Sequence, residues 1–359
     1  MQHWLSDLPN AAITSRDPLN LDQFLGKLPL LNEVADIRPI RAEVERLIPS
    51  LEQASRLSYV DALAAMRDIG MIVGSLQRHE SHDPFADLDL QRAMLELGRR
   101  TGMVPRDTVL HYCWWNPTGS RMRTFTGDER ERRLIQATAI ALKDIETAAR
   151  NLVRLPELNI SDPEYAIRCR TAGQSIHEAA QTVHLSRSGL DARHFAVELR
   201  PYYEPIQIAG KEYDAPAAAQ VPLYLIDQMM WGHGEPEVDL YSLRDGLSRY
   251  GLPIWRETFL DSLTRKPLIK QMIQEIEAST PWDNGPAQRS AEGLLLVAQA
   301  LLTFRGRHIR LVKAAYDSQI SRYAAGSSGA TPDLLQKLIT ATREFANSIR
   351  QAIPERRTK

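Results

Sequence analysis

Only two of the 359 residues are cysteine, Cys113 and Cys169. Two are too few for a disulfide framework or a thiolate cluster; they allow one bridge at most and suit a reducing compartment. There is no surplus of either charge: 44 Lys and Arg stand against 45 Asp and Glu, a net charge of -1. A chain so balanced lacks the field that holds nucleic acid or an anionic membrane in a general way, so local basic clusters must serve local anions. No apolar run approaches the ~20 residues that cross a bilayer, and Met1 to Leu8 carries no basic stretch leading into an apolar one. We therefore expect a cytoplasmic protein whose partners include neither nucleic acid nor membrane. Alternating apolar and polar runs, a Gly-rich phosphate loop, internal repeats and low-complexity linkers are all missing as well. So are the patterns of a Ser-His-Asp triad or a catalytic carboxylate pair.

What is present is helix after helix, and the expected fold class is all-α. Ser58 with Asp61 resembles a capping box that opens a helix running to about His79. Ser161-Asp162-Pro163 starts another that reaches about Leu185, and Thr331-Pro332-Asp333 caps a last one over 332–352. Helical spacing also marks 43–54, 88–100, 128–155, 238–249 and 255–278. Residues 1–35, with scattered prolines and one helix start near Asn20, read as an N-terminal arm, and 353–359 as a frayed basic tail. The helical domain between them, 36–352, is either one body or a small lobe to about residue 125 packed on a larger one. Its length suffices to bury a cofactor.

The most informative helix runs from Glu292 toward Ser328. Val297, Leu301, Phe304, His308, Leu311 and Ala315 recur at steps of four, three, four, three and four, one face of a 3.6-residue period, so His308 points inward. Arg305, Arg307, Arg310 and Lys313 place four cations within nine residues around it. Desolvation and like charge both disfavour imidazolium there, and a neutral imidazole is a metal ligand. A core histidine on a helix whose cations form a solvated face satisfies the same spacing.

Other positions carry weaker signals. Gly70 and Gly74, four apart on a helix with an Ala62, Met66, Ile69, Val73 and Leu76 stripe, admit close approach by another helix or a flat ring. His79 and His82 sit at the end of that helix, where the helix dipole explains them as well as a metal does. Trp114 and Trp115 precede the turn at Asn116-Pro117; as neighbours they cannot both face one core, so one lines an aromatic-ligand pocket or an ordinary stack. Arg200 precedes Pro201 in an irregular stretch, where a guanidinium grips a carboxylate or forms a structural ion pair. Ala217, Ala218 and Ala219 suit a segment passing close over a flat cofactor, or simply a helix start. His177 and His184, two turns apart on one helix, suit a pocket or a structural role and are left unassigned.

Phe304-Arg305-Gly306-Arg307-His308 followed by Ala325-Gly326-Ser327-Ser328-Gly329 resembles the proximal-histidine helix and Gly/Ser substrate loop of the haem-dependent tryptophan dioxygenase superfamily. Glu198 to Pro205 and Ala217 to Gln220, running on to Asp227 and Gly232, resemble the matching segments of the indoleamine 2,3-dioxygenases. Within the superfamily, Ala64 to Gly70 with Gly74-Ser75-Leu76, Trp115 to Thr118, and Leu199 to Pro205 are similar to the monodechloroaminopyrrolnitrin synthases. The resemblance extends over roughly residues 20–350.

The resemblance implies an indoleamine 2,3-dioxygenase-like helical fold, haem b as cofactor and O2 as co-substrate. His308 becomes the axial ligand, Arg305 a partner of a haem propionate, and Ala218 and Ala219 neighbours of the haem face. Tyr316, Ser327, Ser328, Arg200, Phe125 and Trp115 become substrate-binding residues, with no catalytic side chain needed beyond the haem iron. The pair Ser327-Ser328 departs from the Ser-Gly-Gly of the pyrrolnitrin enzymes, and the same loop would serve as a plain connector. The expected activity is haem-dependent oxygenation or rearrangement of tryptophan or a halogenated or other indole derivative, with a reductant as a further partner. Simple 2,3-dioxygenation to a formylkynurenine-type product is the alternative within enzymes; a haem sensor or helical interaction protein is the alternative outside them.

Overall fold

The computed structural model describes residues 3–79, 88–189, 192–232, 240–278, 285–315 and 331–353. These residues fold into helices and one small hairpin. The N-terminal part holds α1 (Asn10–Ser15), α2 (Asp22–Leu25), α3 (Leu28–Glu33), α4 (Arg38–Leu51), α5 (Tyr59–His79) and α6 (Leu88–Thr101). The rest holds α7 (Glu129–Leu152), α8 (Pro163–Gly189), α9 (Ala192–His194), α10 (Leu223–Trp231), α11 (Leu240–Ser248), α12 (Pro253–Ser262), α13 (Leu268–Ala278), α14 (Pro286–Ala315) and α15 (Pro332–Ala352). Three of the predicted starts are built as the residues suggest. Ser58 Oγ accepts from the Asp61 amide at 3.1 Å, Asp162 from the Glu164 amide at 2.8 Å, and Thr331 from the Leu334 amide at 3.2 Å.

Helix α5 differs from its expected one-sided stripe, because every residue from Ala62 to Leu76 is buried. Counting large apolar residues hides this, since the other faces carry alanines, glycines and an ionic network. Arg67 pairs with Asp68 at 2.8 Å, and Arg123 reaches the same carboxylate at 3.0 Å. Arg67 also donates to the carbonyls of Ile13 and Trp115, each at 3.2 Å, and to that of Arg16 at 2.8 Å. Those bonds fold residues 3–35, read as an arm, onto the body, where Leu5, Ile13, Leu21, Leu25 and Leu28 join the core.

Two further differences have local causes. The helix expected over 255–278 is two, α12 and α13, interrupted before Pro267, whose ring cannot continue the i−4 ladder. A hairpin, β1 (Ile206–Ile208) with β2 (Lys211–Tyr213), escaped the helical reading because its strands are three residues each. Ala209 and Gly210 turn it with φ of 50° and 74°, the left-handed pair that matches the twist of a two-residue hairpin. Cys113 and Cys169 are both buried and free, so the one bridge the composition allowed is not made.

The body that carries the site is a set of long helices: α14 packs along α8, α8 along α7, and α15 along α14. Helix α10 packs against α7, and α11 against α10.

Candidate active site

Between α7, α8, α10, α11, α14, α15 and the Ala217–Ala219 segment lies a cavity of about 300 Å³. That volume is at the lower end for a small-molecule site, and the walls are mainly apolar, as such sites are. Helix α14 contributes Phe304, His308, Leu311 and Ala315 from the face its period predicted, with Arg305 and Val312 beside them. Helix α7 contributes Leu134, Thr138, Ala141 and Ile145, and α15 contributes Leu334, Leu335 and Leu338. The only ionisable carboxylate in the described lining is Asp227, and the only guanidinium groups are those of Arg244 and Arg305.

His308 faces this space without a hydrogen bond to any described residue. Its nearest ring is Phe304, with centroids 6.1 Å apart and planes tilted by 40°. Burial, with a smaller contribution from Arg305, pushes the imidazole pKa down to about 4, so the ring is neutral at pH 7 with a lone pair available. Among the described residues no three His, Cys, Asp or Glu side chains gather where they could hold a bare metal ion. A haem iron asks for less, because the porphyrin supplies four ligands and the protein one. A single imidazole without a described partner, in a mainly apolar cavity, is compatible with that donor set.

Arg305 lines the same cavity and is buried, so it is not part of a solvated cationic face. It is 3% exposed, its Nη2 donates to Asp227 Oδ2, and its Nη1 donates to Thr342 Oγ1. Its guanidinium carbon also sits 5.6 Å from the Trp231 ring centre. The group is thus committed to protein partners on α10 and α15. Arg244, on α11, is 1% exposed and donates from Nη1 to Gln228 Oε1 at 3.3 Å and to the Gly232 carbonyl. Its Nε and Nη2 are buried without a partner.

Of the residues predicted for the site, His308, Arg305, Ala218 and Ala219 meet at the cavity. Trp115, Phe125 and Arg200 are not in its described lining. Trp115 is fully buried, and its indole shares the Asn10 Oδ1 acceptor with that of Trp114, at 2.8 and 2.9 Å. One acceptor thus holds both neighbours; Trp115 stacks edge-on against His111 in the core, centroids 5.1 Å apart, while Trp114 is half-buried. Phe125 stacks on Tyr202 with centroids 4.6 Å apart, over Gly74, so the glycine admits a protein ring. Arg200 turns back on its own loop, donating to the Tyr203 carbonyl at 2.8 Å and reaching Glu204 at 3.4 Å. Tyr316, Ser327 and Ser328 lie outside the described residues.

Sequence reasoning missed Arg244, the α7 wall and the α15 wall. For α7 a signal existed: Leu134, Thr138, Ala141 and Ile145 follow steps of four, three and four, with small residues in the middle. For Arg244 nothing local sets it apart from other helical arginines.

The family model described as monodechloroaminopyrrolnitrin synthase PrnB matches residues 30–359, nearly the whole chain.

Proposed function

The chain belongs to the monodechloroaminopyrrolnitrin synthase family, an enzyme family of the indoleamine/tryptophan dioxygenase-like helical fold that acts on tryptophan derivatives. From that premise we propose that it is a haem-dependent oxidoreductase that uses O2 to rearrange tryptophan or a chlorinated or other indole derivative in a pyrrolnitrin-type pathway, with the cavity as cofactor and substrate site. The observation that carries this reading is His308: a neutral imidazole that lines an apolar cavity and has no hydrogen bond to any described residue.

Haem held by His308 would supply the iron and the O2 chemistry that the electron-rich indole C2–C3 bond requires. The chain's own work is placement. His308 offers a ring nitrogen without first losing a proton. The ion pair of Arg305 with Asp227 ties the turn that carries His308 to α10. Ala217, Ala218 and Ala219 keep a wall low enough for a ring and a substrate to share the space. The apolar faces of α7 and α15 exclude water, and holding the reactants dry and oriented lowers the barrier without an added acid or base. Tyr316, Ser327 and Ser328 are proposed to hold the amino-acid end of the substrate. The proposed setting is cytoplasmic, with a cellular reductant keeping the iron ferrous.

The test is an absorption spectrum of the purified, haem-supplied chain, reduced without oxygen, with and without L-tryptophan and 7-chlorotryptophan, followed by O2 and mass analysis. A Soret band that shifts with one ligand and yields a product supports the proposal, and the product mass separates rearrangement from ring cleavage. Absence of a Soret band, or a normal ferric spectrum in His308→Ala, overturns it.

A further inference from the structure

Arg244 stands in the cavity wall with one edge of its guanidinium unused. Its Nη1 is held by the Gly232 carbonyl and Gln228, while Nε and Nη2 are buried with no partner. The two free atoms are neighbours in the group's plane. Their N–H bonds project in parallel from one side, the fork that receives both oxygens of a carboxylate. The contact at Nη1 anchors the opposite end, so the fork is oriented before anything binds.

No described residue satisfies that fork. Asp227 gives its Oδ2 to Arg305, forms no ion pair with Arg244, and keeps Oδ1 without a partner. Two guanidinium groups therefore face one carboxylate across the described lining, beside a neutral His308. Desolvation presses against the charge on Arg244, Asp227 offsets it in part, and Arg305 adds to the strain. A buried cation left this way is costly unless an anion completes it.

We propose that Arg244 receives a carboxylate of the molecule bound in this cavity, through its Nε–H and Nη2–H fork. The proposal rests on the cavity being the cofactor and substrate site. Two carboxylates of the same chemistry are compatible with it, a haem propionate and the α-carboxylate of an amino-acid substrate. Arg305, with its guanidinium spent on Asp227 and Thr342, leaves that role open.

The experiment compares the full chain with Arg244→Met and Arg244→Lys. Each is titrated with haem b and with haem dimethyl ester, whose propionates carry no charge; the haem-loaded proteins are then titrated with L-tryptophan and with indole, all by the Soret band. Arg244→Met is expected to weaken a carboxylate ligand at least about tenfold and its uncharged counterpart under about twofold, the scale of a lost charge-assisted pair. Arg244→Lys, which keeps the charge without the fork, is expected to recover only part of the loss. Selective loss of haem b identifies the propionate, and selective loss of L-tryptophan identifies the substrate carboxylate. Equal effects on charged and uncharged members, or none, in the folded Lys variant overturn the proposal even if the Met variant fails to fold. Should the unsubstituted chain bind neither haem, the cofactor reading fails; calorimetry of L-tryptophan against indole on the haem-free chain then judges Arg244 by the same selectivity.

Discussion

Asp227 and Arg305 form a buried ion pair that joins α10 to α14 one turn before His308, with side chains 5% and 4% exposed. Replacing Asp227 by Asn leaves the Arg305 charge buried without its counter-ion, in a wall that already holds Arg244. Breaking such a pair from one side costs about 3–5 kcal/mol. Chemical denaturation of haem-free Asp227→Asn is expected to register that loss; a change below about 1 kcal/mol would remove the pair from the supports of the site.

Gly74 is a second point where sign is diagnostic. Alanine in place of glycine inside a helix ordinarily stabilises it by about 1 kcal/mol. Here a Cβ would lie 2.8 Å from the Phe125 ring, which is confined by its stack on Tyr202. Gly74→Ala is therefore expected to destabilise the protein by about 1–3 kcal/mol, the range of overpacked cores, as read from the denaturation midpoint. A rise in the midpoint would show that the ring yields.

Asn10 anchors the N-terminal segment through one oxygen that accepts from both Trp114 and Trp115, at 2.9 and 2.8 Å. Asn10→Ala strands two indole donors and is expected to lose about 2–4 kcal/mol, whereas Asn10→Asp, which keeps the acceptor, is expected to lose less. Tryptophan fluorescence during unfolding checks both, and equal losses would mean that the hydrogen bonds do not carry the anchoring.

Glu146 links stability to pH. Burial, offset in part by the amide donors of Leu5 and Ser6, pushes its carboxyl pKa up to about 7, against 4.5 for the ordinary group. Between those values the folded protein holds a proton that the unfolded chain has released. Its contribution to stability therefore falls as pH rises through that window and levels off above it. Buried His111, held down to about 3, slopes the other way below its ordinary 6.5, so the net curve hides the effect. The difference between the unsubstituted chain and Glu146→Gln isolates it. That difference is expected to move by about 2–3 kcal/mol between roughly pH 5 and 7.5, in favour of the variant at the higher pH. A difference independent of pH would contradict the assignment.

Sequence alone determined the helical class, the caps at Ser58, Asp162 and Thr331, and the inward face of α14 with His308 on it. These are local properties: side-chain oxygens within three residues of an amide, and a period of 3.6 along one chain segment. Which walls meet that face was a tertiary matter. Trp115, Phe125 and Arg200 carry chemistry suited to a ligand, and each found a partner within the protein instead, at Asn10, Tyr202 and Tyr203. Arg305 and Asp227 became a buried pair only because the fold brings α10 within side-chain reach of that turn of α14. Arg244 was left with a free fork among the described residues because α11 brings it to the same wall, where Arg305 holds Asp227. A sequence records which groups can pair; the packing of helices far apart in the chain decides which of them do.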